Sequence, residues 1–188
     1  MGVCRIISRM MQHPKMIISV ATIILLFSCD AKEKIITYKI KKPPAVIQPT
    51  LKWTTPISWE ELVPGNMLMA NFHAIDSKNK SVNISISMFP GDVGGIENNV
   101  NRWRNQINLN PQTIEEISKY IQNIILPLLG DAQFLELNNS QNNQGMKVII
   151  IPNQNNQTIF VKMMGESDSL SELDYEFNLF VQSIYWSE

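Results

Sequence analysis

The segment Ser81–Phe89, with the sequence SVNISISMF, alternates apolar and polar side chains from end to end. Val82, Ile84, Ile86 and Met88 share one face, and the residues between them are serine or asparagine. Because successive side chains of a β-strand point to opposite faces, this pattern predicts a strand with one buried face. The apolar segment Met67–Ile75 precedes it, and the polar turn Asp76–Lys80 between the two predicts an antiparallel hairpin.

Helical spacing follows the hairpin. Ile96, Val100, Trp103 and Ile107 recur at intervals of three or four residues, which predicts a helix over 96–107 with Trp103 in the core. Thr113–Glu116 fits a capping box and predicts a second helix, whose apolar stripe runs from Ile114 to Leu128 and which Pro127 and Gly130 end. A last helix, capped by Asp168 or Ser169, carries an apolar stripe from Leu170 to Ile184.

Three further strands are predicted at Ala132–Leu137, Met146–Ile151 and Thr158–Met164, separated by loops rich in asparagine and glutamine. Strands joined by short turns, with helices grouped between and after them, indicate an α+β fold. We therefore expect an antiparallel sheet flanked by helices.

The first 28 residues have the composition of an export signal. Arg5, Arg9 and Lys15 precede the apolar run Met16–Phe27, which is too short to span a bilayer comfortably. The ending Leu26–Cys29 (LFSC) resembles a bacterial lipobox, and this resemblance implies cleavage before Cys29 and lipidation of that cysteine. An ordinary signal peptide and an N-terminal anchor helix are the alternatives. Asp30, directly after the cysteine, resembles the inner-membrane retention signal of some Gram-negative bacteria.

Residues 29–52 are predicted to be the lipidated cysteine and a flexible tether, because charged residues and prolines prevail there; residues 53–188 then form a single domain. Without residues 1–28 and their three basic side chains, 13 basic and 17 acidic residues remain, a net charge of −4. This balance argues against nucleic acid as a partner. The only cysteines are Cys4 and Cys29, so the domain has no thiol chemistry of its own.

The sequence carries no catalytic or cofactor motif. His73 is the only histidine beyond the signal segment, and one histidine cannot build a histidine-based zinc site. The glycines of Gly91–Gly95 match neither a P-loop nor a dinucleotide fingerprint. We therefore expect no metal, no cofactor and no enzymatic activity.

The polar edges of the 96–107 helix are the remaining candidate site. Arg102 and Arg104 flank the apolar stripe, and Asn101 and Gln106 lie beside them. One interpretation makes the arginines structural clamps that bind carboxylates or strand-end carbonyls. The other makes this edge a binding site for an acidic group, with help from the backbone N–H groups that follow Gly94 and Gly95.

The block Gly94–Leu109 resembles the GG…NVNRWRxQxGL signature of a family of uncharacterised bacterial lipoproteins and secreted proteins. Trp53, Pro56–Trp59, Met69–Phe72 and Phe160–Gly165 resemble further segments of that family, so the resemblance covers residues 53 to about 185. Asn108 departs from it, since glycine is usual there. The family's architecture is similar to the PsbP-like α/β/α sandwich, a fold used for docking to membrane complexes. The resemblance implies that fold and no established activity.

Two functions follow as hypotheses. The first is a membrane-tethered, non-enzymatic accessory domain that docks on another envelope protein through the helix edge and nearby loops. The second is a domain that binds a small carboxylate or anionic ligand with Arg102 and Arg104, with or without a weak enzymatic activity. A pocket lined by either arginine and by aromatic residues would favour the second hypothesis.

Overall fold

The computed structural model describes residues 49–153 and 156–187, which belong to the compact unit Val46–Glu188. The predicted signal segment, Cys29, Asp30 and the tether up to residue 48 lie outside the described residues. Within the described ranges, no helix is long and apolar enough to cross a membrane.

Seven antiparallel strands form one sheet, and a two-stranded ribbon stands beside them. The strands are β1 (Thr50–Lys52), β2 (Glu60–Leu62), β3 (Ala70–Ile75), β4 (Ser81–Pro90), β5 (Gln122–Leu126), β6 (Gly130–Asn139), β7 (Gln144–Asn153), β8 (Gln157–Glu166) and β9 (Tyr185–Ser187). The order across the sheet is β2-β3-β4-β8-β7-β6-β5, and β1 pairs with β9 in the ribbon. The helices are α1 (Gly95–Gln106), α2 (Ile114–Ile117), α3 (Ser167–Glu172) and α4 (Asp174–Gln182).

One face of the sheet packs on the C-terminal helices. Val82, Ile84 and Ile86 of β4 are buried there, as the alternating pattern predicts, and Ile84 and Ile86 pair with Met163 and Val161 of β8. Side chains of α3, α4, the ribbon and the segment before β2 complete this core, and they include Leu170, Phe177, Phe180, Leu51 and Trp59.

The other face packs on α1 and α2 along only part of its width. The core on this side joins Val100, Trp103, Ile107 and Ile117 of the helical segments to apolar side chains of β6, β7 and β8. On β3 and β4 the same face carries the polar side chains of Asn71, His73, Asn83, Ser85 and Ser87, and in the register Asn71 pairs with Ser85 and His73 with Asn83. The predicted α+β class is confirmed, with helices on both faces of an antiparallel sheet. The uncovered strip over β3 and β4 borders the candidate site.

The capping box of the second predicted helix is confirmed, but the predicted length of that helix is wrong. Thr113 and Glu116 exchange side-chain-to-backbone hydrogen bonds of 3.4 and 3.0 Å, yet α2 ends at Ile117. The chain then forms β5, which pairs with β6 through a turn ending at Gly130, whose φ is +83°. Ile125 is 79% exposed, so the helical spacing of these apolar residues was coincidental. The β-branched isoleucines instead support an edge strand.

The last predicted helix is two helices followed by a strand. Leu173 leaves helical geometry between α3 and α4, and the ammonium group of Lys147 bonds the carboxylate of Asp174 where α4 begins. Neither Asp168 nor Ser169 is the cap, because α3 begins at Ser167 with Glu166 as its N-cap residue. The Ser169 hydroxyl donates instead to Asp76 Oδ2 at 2.7 Å. Residues 50–52, which the sequence places at the end of the tether, form β1 because Leu51 is buried in the core.

Candidate binding cleft

Turn residues with unusual backbone angles set the start of α1. Val93, Gly94 and Gly95 all have positive φ, and Gly94 is the N-cap residue, at φ +84°. The N–H groups of Gly94 and Gly95 donate to the side chain and the carbonyl of Asp92, at 3.2 and 3.1 Å. The N–H groups of the two glycines themselves are therefore used within the turn.

A side-chain amide ties this turn to the first arginine. Asn99 is 3% exposed, and its Nδ2 donates to the carbonyls of Gly95 at 2.8 Å and Val93 at 3.3 Å. Its Oδ1 accepts a hydrogen bond from the Arg102 guanidinium group. The exposed Arg102 side chain is thus tied to its own helix by a buried side-chain amide.

The apolar stripe of α1 is buried as predicted. Val100 and Ile107 are fully buried, and Trp103 is 7% exposed. The Trp103 ring meets Phe160 of β8 edge to face, with 5.3 Å between the ring centroids. Such pairs contribute about 0.5–1.5 kcal/mol beyond area burial. This contact fixes the distance between α1 and the sheet.

Arg104 and Asn101 point away from the sheet towards the loop that follows α1. Arg104 Nε donates to the carbonyl of Asn110 at 2.6 Å. Asn101 exchanges two hydrogen bonds of 2.8 Å with the backbone of Gln112. Asn108, in the same loop, has φ +59°, the left-handed conformation that asparagine tolerates best after glycine. The substitution of the usual glycine is therefore compatible with this loop.

A cleft of about 280 Å³ lies between α1 and the sheet, at the boundary of the uncovered strip. It is lined by Met67, Leu68, Ser85, Ser87, Phe89, Val93, Asn99, Arg102, Trp103, Gln106, Phe160 and Lys162. Of the candidate residues from sequence, it brings together Arg102 and Gln106. The cleft also contains Lys162 and Ser85, which the sequence did not predict as site residues.

Lys162 is the second cation of the cleft. It lies on the half-buried face of β8, opposite Ser85 of β4, and its Nζ donates to Gln106 Oε1 at 3.1 Å. Burial lowers the pKa of its ammonium group below the ordinary value of 10.5. A lysine inside the otherwise apolar run Ile159–Met163 was the available signal, because strand cores rarely hold an unpaired charge.

The charged residues that line the cleft are all cationic. Among the described residues, the ion pairs involve other groups, and neither Arg102 nor Lys162 pairs with a carboxylate. No acidic residue of the described chain lines the cleft. The Ser85 side chain, 5% exposed, makes no hydrogen bond within the same part of the chain. Two cations and a free buried hydroxyl can together donate hydrogen bonds to an anionic oxygen.

Other polar groups of the uncovered strip are in contact with one another. His73 Nε2 lies 2.8 Å from Ser81 Oγ, and its Nδ1 lies 3.9 Å from Glu60, so the histidine connects three neighbouring strands. No group of three or more potential metal ligands occurs within residues 49–153 and 156–187.

No protein family and no curated protein matches this sequence. Among solved structures, the chain is similar to the solution structure of the cyanobacterial PsbP protein CyanoP from Synechocystis (13% identity, 79% of this chain and 99% of that one, TM-score 0.43). It is also similar to LpqN of Mycobacterium tuberculosis, described as involved in cell envelope biogenesis (13% identity, 75% and 85%, TM-score 0.39).

A third similar structure comes from Bacteroides thetaiotaomicron, with 9% identity over 73% of this chain and a TM-score of 0.41. The chain spans 45% of the length of that protein. At these values the similarities describe an overall arrangement of strands and helices and say nothing about function.

Proposed function

We propose that this protein is a non-enzymatic binding domain of the cell envelope that takes a carboxylate group in the cleft between α1 and the sheet. One observation carries the proposal. The cleft holds Arg102 and the half-buried Lys162 with no acidic residue in its described lining. A carboxylate that enters beside the half-buried Lys162 and the exposed Arg102 can accept charge-assisted hydrogen bonds from both, which favours binding of an anion.

The proposal joins the two hypotheses from the sequence. Docking on an envelope partner and binding of a small carboxylate both place a negatively charged oxygen beside α1. Arg104 and Asn101 take no part, since their hydrogen bonds stabilise the loop of residues 108–112. Arg102 and Gln106 remain from the predicted site, and Lys162 takes the place of the second arginine.

Presentation of this domain at a membrane is the second element of the proposal. Lipidation of Cys29 would hold the protein at the membrane, and residues 30–49 would let the domain stand away from it. Asp30 favours the inner membrane. The net charge of −4 beyond residue 28 supports an anchor of lipid rather than of charge.

The binding test uses 3-phenylpropionate and its uncharged amide as probes, titrated calorimetrically into the full-length protein in a non-ionic detergent. We expect the acid to bind and the amide to bind at least tenfold more weakly. The double variant Arg102→Gln, Lys162→Gln should abolish this preference, whereas Arg104→Gln serves as the matched control. Equal binding of acid and amide by the native protein would refute the proposal.

A further inference from the structure

The cleft has an apolar wall as well as a cationic end. Half of its lining residues are apolar or aromatic: Met67, Leu68, Phe89, Val93, Trp103 and Phe160. The Phe160 ring contacts both Trp103 and Phe89, with centroid separations of 5.3 and 6.1 Å. A volume of about 280 Å³ is at the lower limit for ligand pockets, of the order of 300 Å³, and suits one bulky group. The occupant should therefore carry a carboxylate close to a single large apolar side chain.

The uncovered strip continues the cleft with polar groups that match a peptide bond. Asn71 of β3 pairs with Ser85, so its Cβ lies about 5 Å from that of a cleft residue. Asn83 Nδ2 donates to Asn71 Oδ1 at 2.8 Å. Within the described residues, the Asn71 Nδ2 group and the Asn83 Oδ1 atom then have no partner. They offer donor and acceptor groups on neighbouring strands, as a peptide C=O and N–H require.

We infer that the cleft receives the C-terminal residue of an extended partner polypeptide. The terminal carboxylate lies between Arg102 and Lys162, and the last side chain packs against Trp103 and Phe160. The peptide group before it bonds with Asn71 and Asn83. This inference rests on the proposed carboxylate-binding function and specifies the partner. Charge complementarity selects the terminus, because the cleft offers two cations to a group that every polypeptide chain carries once.

Four probes separate the parts of this inference. They are the N-acetylated tetrapeptide Gly-Ser-Gly-Phe as the free acid, the same peptide as its C-terminal amide, the acid Gly-Ser-Gly-Gly, and 3-phenylpropionate. Each is titrated into the full-length protein in non-ionic detergent. The phenylalanine acid should bind at least tenfold more tightly than each of the other three, because only it offers the carboxylate, the ring and the peptide groups together.

Two variants localise the peptide contacts. Asn71→Ala should weaken binding of the phenylalanine acid about fivefold and leave 3-phenylpropionate unchanged, because that probe has no peptide group. Asn123→Ala, the same change on the exposed β5 edge, is the matched control and should alter neither affinity.

The outcomes distinguish the inference from the function on which it rests. If 3-phenylpropionate binds and the phenylalanine acid binds no more tightly, the terminal-peptide inference is overturned and carboxylate binding stands. A loss of both affinities in Asn71→Ala also overturns it. If 3-phenylpropionate binds no more tightly than its amide, and the acid and amide forms of the peptide also bind equally, both are overturned.

Discussion

Replacing Trp103 with alanine tests whether α1 is a packed element of the core or a loosely attached helix. The indole is 7% exposed and belongs to the core that joins α1 to β6, β7 and β8. It makes an edge-to-face contact with Phe160 at 5.3 Å, and it lines the cleft. The variant removes the whole ring and leaves Val100 and Ile107 to hold the helix.

The expected loss of unfolding free energy is large. Removal of a buried tryptophan costs about 3–5 kcal/mol, and the lost aromatic contact falls within that range. Single domains unfold with a total of about 5–15 kcal/mol, so the variant loses a major share of its stability. Arg104→Ala is the control, because it removes one charge-assisted hydrogen bond of a half-exposed side chain. Its cost should be about 1 kcal/mol.

Urea unfolding followed by far-UV circular dichroism measures both variants without relying on tryptophan fluorescence. We expect the midpoint of Trp103→Ala to fall far below that of Arg104→Ala. A loss below about 1.5 kcal/mol for Trp103→Ala would refute the packing argument. If Arg104→Ala cost as much as Trp103→Ala, the arginine would be the principal clamp of the helix.

Three other perturbations address titration, close packing and anchoring. Hydrogen bonds from Ser169 and the backbone of Lys80 lower the pKa of Asp76 below 3.8. The stability of the native protein should therefore fall as the pH drops below 3.8, and it should fall less in Asp76→Asn. Urea midpoints measured across this pH range check the difference. Gly165→Ala should cost about 1–3 kcal/mol of unfolding free energy in the same urea assay, because a Cβ would lie 3.0 Å from Val82 Cγ2 and 3.2 Å from Ser81 O. The control Gly65→Ala places its Cβ in open space and should cost about 0.5 kcal/mol or less. Cys29→Ser should yield a product without acyl chains, and an unmodified Cys29 in the intact mass of the native protein would contradict the lipoprotein prediction.

Much of the fold could be predicted because alternation and helical spacing report directly on burial. The β3–β4 hairpin and α1 follow from such patterns, and their buried faces are the expected ones. The prediction of a helix over Gln122–Leu126 was wrong because the isoleucines of this segment fit a helical stripe and a strand equally well. Only its pairing with β6, a contact outside the local sequence, decides between the two. The three-residue strands β1, β2 and β9 are too short for any period to be visible.

The candidate site was harder to predict because it depends on strand register. Arg102 and Gln106 could be found, since they lie on one helix beside a conspicuous tryptophan. Ser85 and Lys162 are 77 positions apart and meet only because β4 pairs with β8 in a particular register. In the sequence, Ser85 was one more polar residue of an alternating strand. Its burial without a partner is a property of the cleft and has no local signature.

Side chains on different faces of α1 between Asn99 and Gln106 make different contacts. Val100 and Trp103 pack on the sheet, and Asn101 and Arg104 hold the following loop. Arg102 and Gln106 face the cleft. Since Trp103 belongs to both the core and the cleft wall, the position of Arg102 relative to Lys162 of β8 depends on the packing of the helix. A ligand that binds the folded state alone also stabilises that packing, by about 2.7 kcal/mol at a hundredfold excess over its dissociation constant. We therefore expect a ligand to protect α1 against hydrogen exchange in the native protein but not in the Arg102→Gln, Lys162→Gln double variant. That result would show that binding in the cleft stabilises the core to which Trp103 belongs.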